Sequence, residues 1–160
     1  MLERQQDDEF HADGRITATR LLGCPRQTIL LDTRPVFLDL RRAYSAYVGS
    51  ERHDAIRRRT RGAFDELKLD AELFGTRVAG ICDKVRHDMT EIVDWKFHGS
   101  VAQQMKWKRH RAGQPDRELA AQLNIYRLLI ARSVLQVPDD DFRPKLTAWH
   151  MAMVSAGRGP

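Results

Sequence analysis

The chain has 160 residues, and its 27 lysines and arginines exceed its 22 aspartates and glutamates, giving a net charge of +5. That length suits one domain with a sizeable core, and 42% hydrophobic with 31% charged residues is ordinary for a soluble globular protein. Two cysteines, Cys24 and Cys82, cannot make a four-cysteine zinc or iron–sulfur site alone. No apolar run approaches the roughly 20 residues of a membrane span. The polar start, Met1 to Glu9, is the opposite of a signal peptide, so a cytoplasmic location without membrane partners is expected.

Residues 1–14 are expected to be a flexible leader, 15–154 a single domain and 155–160 a flexible tail. Thr17–Leu31 has helical spacing, with Thr17 as N-cap and Pro25 imposing a start or kink within it. Phe37–Thr60 predicts a longer helix, or two abutting ones, carrying Leu38, Leu40, Tyr44, Tyr47, Val48 and Ile56. The period then changes. Leu73–Val85 mixes alternation with β-branched residues and predicts a strand; Arg86–Met89 is a polar turn, and Thr90–Phe97 predicts a second strand pairing back on the first. Ser100–Arg111 is polar and basic. Pro115-Asp116 opens a helix to about Leu135, with Leu119, Leu123, Tyr126 and Ile130 on one face. Lys145–Val154 closes the fold as a strand. The expected fold class is α/β or α+β: a small mixed sheet flanked by helices.

The hairpin places Asp83 and Asp94 near the ends of paired strands. If both carboxylates face one side, they form a hard anionic pocket suited to Mg²⁺ or Mn²⁺. Lys96, two residues beyond Asp94, shares its face and can orient an attacking water or stabilise charge on a phosphate. Taken alone, an Asp-x-Lys triplet reads as an exposed ion pair. Gln122 and Tyr126, one helical turn apart, put an amide and a phenol together on a mostly apolar stripe. His53 follows Gly49 by one turn; a lone helical histidine is ordinarily a surface residue, whereas an imidazole beside two carboxylates completes a three-ligand site.

As a set, Gly49-x3-His53, Gly80-x2-Asp83, Asp94-x-Lys96 and Gln122-x3-Tyr126 resemble the RecB-like, Cas4-like branch of the PD-(D/E)XK nuclease superfamily. Leu21-Leu22-Gly23-Cys24-Pro25-Arg26 resembles the Cys-Pro-Arg segment near the start of that family, and the likeness runs from about residue 16 to 136. The resemblance implies a restriction-endonuclease-like core. It also implies that His53, Asp83, Asp94 and the Trp95 carbonyl bind the metal, that Lys96 is the catalytic lysine, and that Gln122 and Tyr126 contact DNA or steady the site. It further implies a Mg²⁺- or Mn²⁺-dependent deoxyribonuclease, an exonuclease trimming DNA ends in repair or recombination, with phage origin as one option. Two departures stand out. No cysteine follows Cys82, so the iron–sulfur cluster of many relatives is expected to be absent, and Phe97-His98-Gly99 replaces a common Thr-Gly.

Basic runs agree with a DNA substrate. Lys106, Trp107, Lys108, Arg109 and Arg111 form one, and Arg57, Arg58, Arg59 and Arg61 another. Such runs neutralise phosphates, and an indole such as Trp107 can stack on an unpaired base. They serve equally as solvated helix faces. Expected partners are single-stranded or end-containing duplex DNA, a separate helicase or recombination protein, and further copies of the chain. An endonuclease, an RNA-directed enzyme and a catalytically silent DNA-binding or assembly protein are the alternatives. The intact acidic pair with its lysine argues against a silent site, because like charges held together are costly.

Overall fold

The computed structural model describes residues 15–34, 63–98 and 116–152, together with Leu40, Tyr44, Tyr47, Val48, Glu51 and Ala55. The chain begins with a two-residue strand β1 (Ile16–Thr17), followed by helices α1 (Ala18–Leu21) and α2 (Pro25–Thr33). Thr17 caps α1, its Oγ1 accepting the Arg20 N–H at 3.3 Å. The helical spacing over Thr17–Leu31 thus forms two helices, the second starting at Pro25, one of the two outcomes expected there. Its break has a simple cause: a residue before proline is pushed out of the helical region, and Cys24 is extended (φ −70°, ψ 121°) ahead of Pro25 at the first turn of α2. The six described residues between 40 and 55 have helical backbone, as the spacing there predicts.

The sheet holds more strand than the sequence pattern suggests. Strands β2 (Ala63–Leu73) and β3 (Thr76–Arg86) pair antiparallel from Ala63↔Arg86 to Leu73↔Thr76, with the ladder interrupted at Glu66 (φ 52°) opposite Asp83. Leu67, Leu69, Ala71 and Leu73 alternate with polar residues, and Leu69 and Leu73 are buried. The strand expected over Leu73–Val85 is thus the end of β2, a two-residue turn and most of β3. Phe74 and Gly75 make that turn, both with positive φ (52° and 76°), as a tight hairpin whose twist matches its strands requires. Phenylalanine is an unusual occupant of such a position, and it lies 85% exposed. The Arg132 guanidinium sits 5.8 Å from its ring centroid and donates to the Glu72 carbonyl, pinning the hairpin tip.

A turn from Arg86 to Thr90 leads into β4 (Glu91–His98), with the Asp88 carboxylate accepting the Thr90 N–H and hydroxyl at 3.1 and 2.7 Å. Strand β5 (Lys145–Ala152) pairs with β4 in parallel, from Glu91↔Lys145 to His98↔Ala152. Glu91 ties their starts together, accepting the Thr147 hydroxyl at 2.6 Å beside Lys145 at 3.3 Å, contacts that hold its carboxyl below the usual range. A parallel pair needs a crossover. Helix α3 (Arg117–Ile130) supplies it, capped by Asp116, which accepts the Glu118 and Leu119 N–H groups at 3.1 and 3.3 Å. A π-helical turn, Ala131–Leu135, follows and ends on Gln136 at φ 54°.

The core lies between α3 and the sheet. Leu119, Leu123, Tyr126, Leu129 and Ile130 pack onto Leu69, Val78, Cys82, Val85 and Ile92. The result is a mixed five-stranded sheet flanked by helices, in the expected α+β class. No helix among the described residues is long and apolar enough to cross a membrane.

The two cysteines occupy opposite environments: Cys24 is exposed, and burial pushes the Cys82 thiol up to about 12. A thiol reagent at mildly alkaline pH is expected to modify Cys24 alone in the folded chain and both cysteines after denaturation. Cys24→Ser should leave the native protein unreactive.

Candidate active site

Strand β3 has two edges. β2 occupies one except at Asp83, while the other is shared: β1 pairs at Val78 and Ala79, and β4 only at Lys84↔Val93 and Val85↔Ile92. Beyond Lys84 the ladder between β3 and β4 stops, and the strands fork. Asp83 and Asp94 stand at the mouth of that fork. Asp83 spans it, its Oδ2 accepting the Trp95 backbone N–H at 2.7 Å, a charge-assisted bond standing where a main-chain carbonyl would otherwise serve.

Asp94 lies 2% exposed, so it belongs to no exposed ion pair on a hairpin. Its partner is Lys96, whose Nζ stands 2.9 Å from Oδ2 and 3.2 Å from Oδ1. The same-face placement expected from strand alternation holds. The ammonium is also 3.2 Å from the Gln122 Oε1 on α3, and Gln122 Nε2 donates to Tyr126 Oη at 2.9 Å. This orientation of the amide is the only one the site permits, because an ammonium has no lone pair and must meet an acceptor. Both α3 residues are buried, Gln122 at 7% and Tyr126 at 5% exposure. Burial, then the negative charges of Asp94 and Asp83 among others, hold the Tyr126 phenol well above its usual range. It stays protonated, an oxygen that can accept from Gln122 and still offer its own proton.

Room for that phenol comes from Gly80. A Cβ there would lie 2.8 Å from Tyr126 Cε1 and 3.3 Å from the Ala18 Cβ. A glycine inside a strand commonly marks such a close approach. That was the available sequence signal for its role, but which ring approaches depends on the crossover of α3.

Five predicted site residues therefore meet at the fork: Asp83, Asp94, Lys96, Gln122 and Tyr126. Trp95 contributes its N–H to Asp83, a role that sequence spacing does not reveal. His53, Lys106, Trp107, Lys108, Arg109 and Arg111 lie outside the described residues, as do Arg57, Arg58, Arg59 and Arg61. Among the described residues no group of three or more His, Cys, Asp or Glu side chains could hold a metal ion. The two carboxylates nonetheless suit Mg²⁺, which takes hard oxygens and is commonly held by one or two carboxylates plus water and phosphate. Chemically, the fork offers two anionic oxygen donors beside a cation held by a buried amide.

Lys96→Met keeps the stem but removes the charge beside buried Asp94. Losing one partner of a fully buried pair costs about 3–5 kcal/mol, and the Lys96 side chain is 35% exposed, so about 2–3 kcal/mol is expected here by urea denaturation. An unchanged midpoint would show that the pair contributes nothing to the fold.

No protein-family model and no curated protein matches the chain. Among solved structures, the crystal structure of SSO0001 superposes on 79% of this chain and 64% of its own length, with a TM-score of 0.56 and 20% sequence identity. The chain thus spans less than two thirds of that protein, and the likeness is one of fold.

Proposed function

We propose that the chain is a metal-dependent deoxyribonuclease of the PD-(D/E)XK type, hydrolysing phosphodiesters at DNA ends. The observation that carries this reading is the convergence of Asp83, Asp94 and Lys96 in the fork, with the ammonium 2.9 Å from Asp94 and steadied by Gln122. An acidic pair and a lysine, contributed by two splayed strands under a helix, form a compact set for cutting a phosphate ester. The net charge of +5 favours a polyanionic substrate.

Each residue has a task in this reading. Asp83 and Asp94 hold the cation, with His53 and the Trp95 carbonyl as the further donors implied by the family resemblance. A bound Mg²⁺ or Mn²⁺ lowers the pKa of water and neutralises charge on the phosphate. Lys96 presents its ammonium to the nucleophilic water or to the oxygen on which charge develops. Gln122 and Tyr126, buried and bonded to each other, keep that ammonium in place and leave the contacting of DNA to outer residues. The basic run from Lys106 to Arg111 supplies phosphate contacts, and Trp107 a stacking surface. A separate motor protein and self-association belong to the same proposal.

The test is incubation with linear single-stranded, linear duplex and closed circular DNA, in Mg²⁺, Mn²⁺ or EDTA. Linear DNA is expected to be degraded, circles spared, and EDTA to stop the reaction. Lys96→Ala and Asp94→Ala should each lower the rate by about 10²–10³-fold, the scale of losing one charge-stabilising group. His53→Ala should be recovered by excess Mn²⁺. Cleavage of circles would replace the exonuclease assignment with an endonuclease, and variants as active as wild type would place the chemistry elsewhere.

A further inference from the structure

We propose that Gly80 is a positioning residue for Lys96: the bare backbone of β3 at this point is the seat of the Tyr126 ring, and through Gln122 that seat fixes the ammonium. The inference deepens the nuclease reading and rests on it for the task of Lys96. The geometry beneath it is independent of that task.

Three contacts in series make the link. The Tyr126 ring lies so close to Gly80 that an added Cβ would stand 2.8 Å from Cε1 and 3.4 Å from Cδ1. Carbon atoms in ordinary contact keep about 3.5–4.0 Å, so the ring would have to withdraw. The strand cannot retreat instead. β2 pairs it on one edge, Leu69 opposite Gly80, β1 pairs the other at Val78 and Ala79, and buried Ala18 crowds the same Cβ at 3.3 Å. A phenol is rigid, so movement of its ring carries Oη with it and breaks the 2.9 Å bond from Gln122 Nε2.

That bond holds the amide in register. With Oη accepting from Nε2, Oε1 is committed to the Lys96 ammonium at 3.2 Å. Without it the ammonium still selects the amide oxygen, but the side chain loses its anchor and Oε1 is free to swing away from Nζ. Lys96 then keeps only Asp94 and gains rotamer freedom. A glycine on β3 thereby governs the placement of a lysine on β4 through the side chains of Tyr126 and Gln122.

The test reads Lys96 directly and needs no DNA. Lysine acetylation is followed by peptide mass spectrometry in the folded protein, with Lys145, whose side chain is 74% exposed, as internal reference. Gly80→Ala and Tyr126→Phe are both expected to raise Lys96 labelling severalfold towards that of Lys145. Tyr126→Phe leaves the ring on its seat and removes only the oxygen, so it separates positioning from packing. In a Tyr126→Leu background, Gly80→Ala should raise Lys96 labelling no further.

Loss of stability in Gly80→Ala with Lys96 labelling unchanged would overturn the proposal, as would a full additive increase on top of Tyr126→Leu. Should Gly80→Ala not fold, by circular dichroism, the Tyr126→Phe result decides: unchanged labelling refutes the link and raised labelling supports it. On DNA, Gly80→Ala is expected to lower kcat by about 10–100-fold with KM unchanged, the scale for a catalytic group displaced by about 1 Å. A wild-type protein that cuts no DNA would remove the nuclease reading and leave the labelling result standing.

Discussion

The bond from the Trp95 N–H to the Asp83 carboxylate is the interaction on which the site depends. Two antiparallel strands that kept their ladder would place Asp83 and Asp94 as cross-strand neighbours, two like charges in a half-buried sheet, which is unfavourable. The fork resolves this conflict. β4 leaves β3 after two residue pairs, and Asp83 takes over a main-chain donor that the lost ladder would leave without its partner. A space thus opens between the strands, with Asp94 and Lys96 on one wall. β1 takes up part of the vacated edge, at Val78 and Ala79.

The roof of that space follows from topology. β4 and β5 run parallel, so the chain must cross the sheet between them, and α3 is that crossing. Its apolar stripe seals the core, and Gln122 and Tyr126 interrupt the stripe where it passes over the fork. Buried polar groups are tolerable only when satisfied together, and here the set closes on itself: phenol to amide, amide to ammonium, ammonium to carboxylate. The close seat at Gly80 is the steric counterpart of that network.

Much of this was legible in the sequence, and the reasons differ by element. The hairpin of β3 and β4 showed because two β-rich runs flank a polar turn, although Asp83 and Asp94 lie within their strands and not at the ends expected. α3 showed because Asp116 is a strong cap and its apolar residues keep helical spacing, and β5 showed as a final β-rich run. β2 did not show, because its turn is made by Phe74, an aromatic residue in a left-handed conformation that ordinarily signals asparagine or glycine. The start of a new helix at Pro25 showed because the residue before a proline, here Cys24, is kept out of the helical region. In the site, Asp94 with Lys96 and Gln122 with Tyr126 followed from the periods of strand and helix. The fork itself, the Trp95 N–H as a donor to Asp83 and the seat at Gly80 required long-range packing that no local pattern encodes.

The proposed nuclease site requires the fork to hold a divalent cation between Asp83 and Asp94, and Mn²⁺ binding followed by electron paramagnetic resonance tests that requirement most directly. The account predicts that the wild-type chain binds Mn²⁺ and that Asp83→Ala and Asp94→Ala each lose it. Lys96→Met, which removes a competing positive charge, should bind at least as tightly as wild type. Equal Mn²⁺ binding by wild type and both aspartate variants would contradict the account.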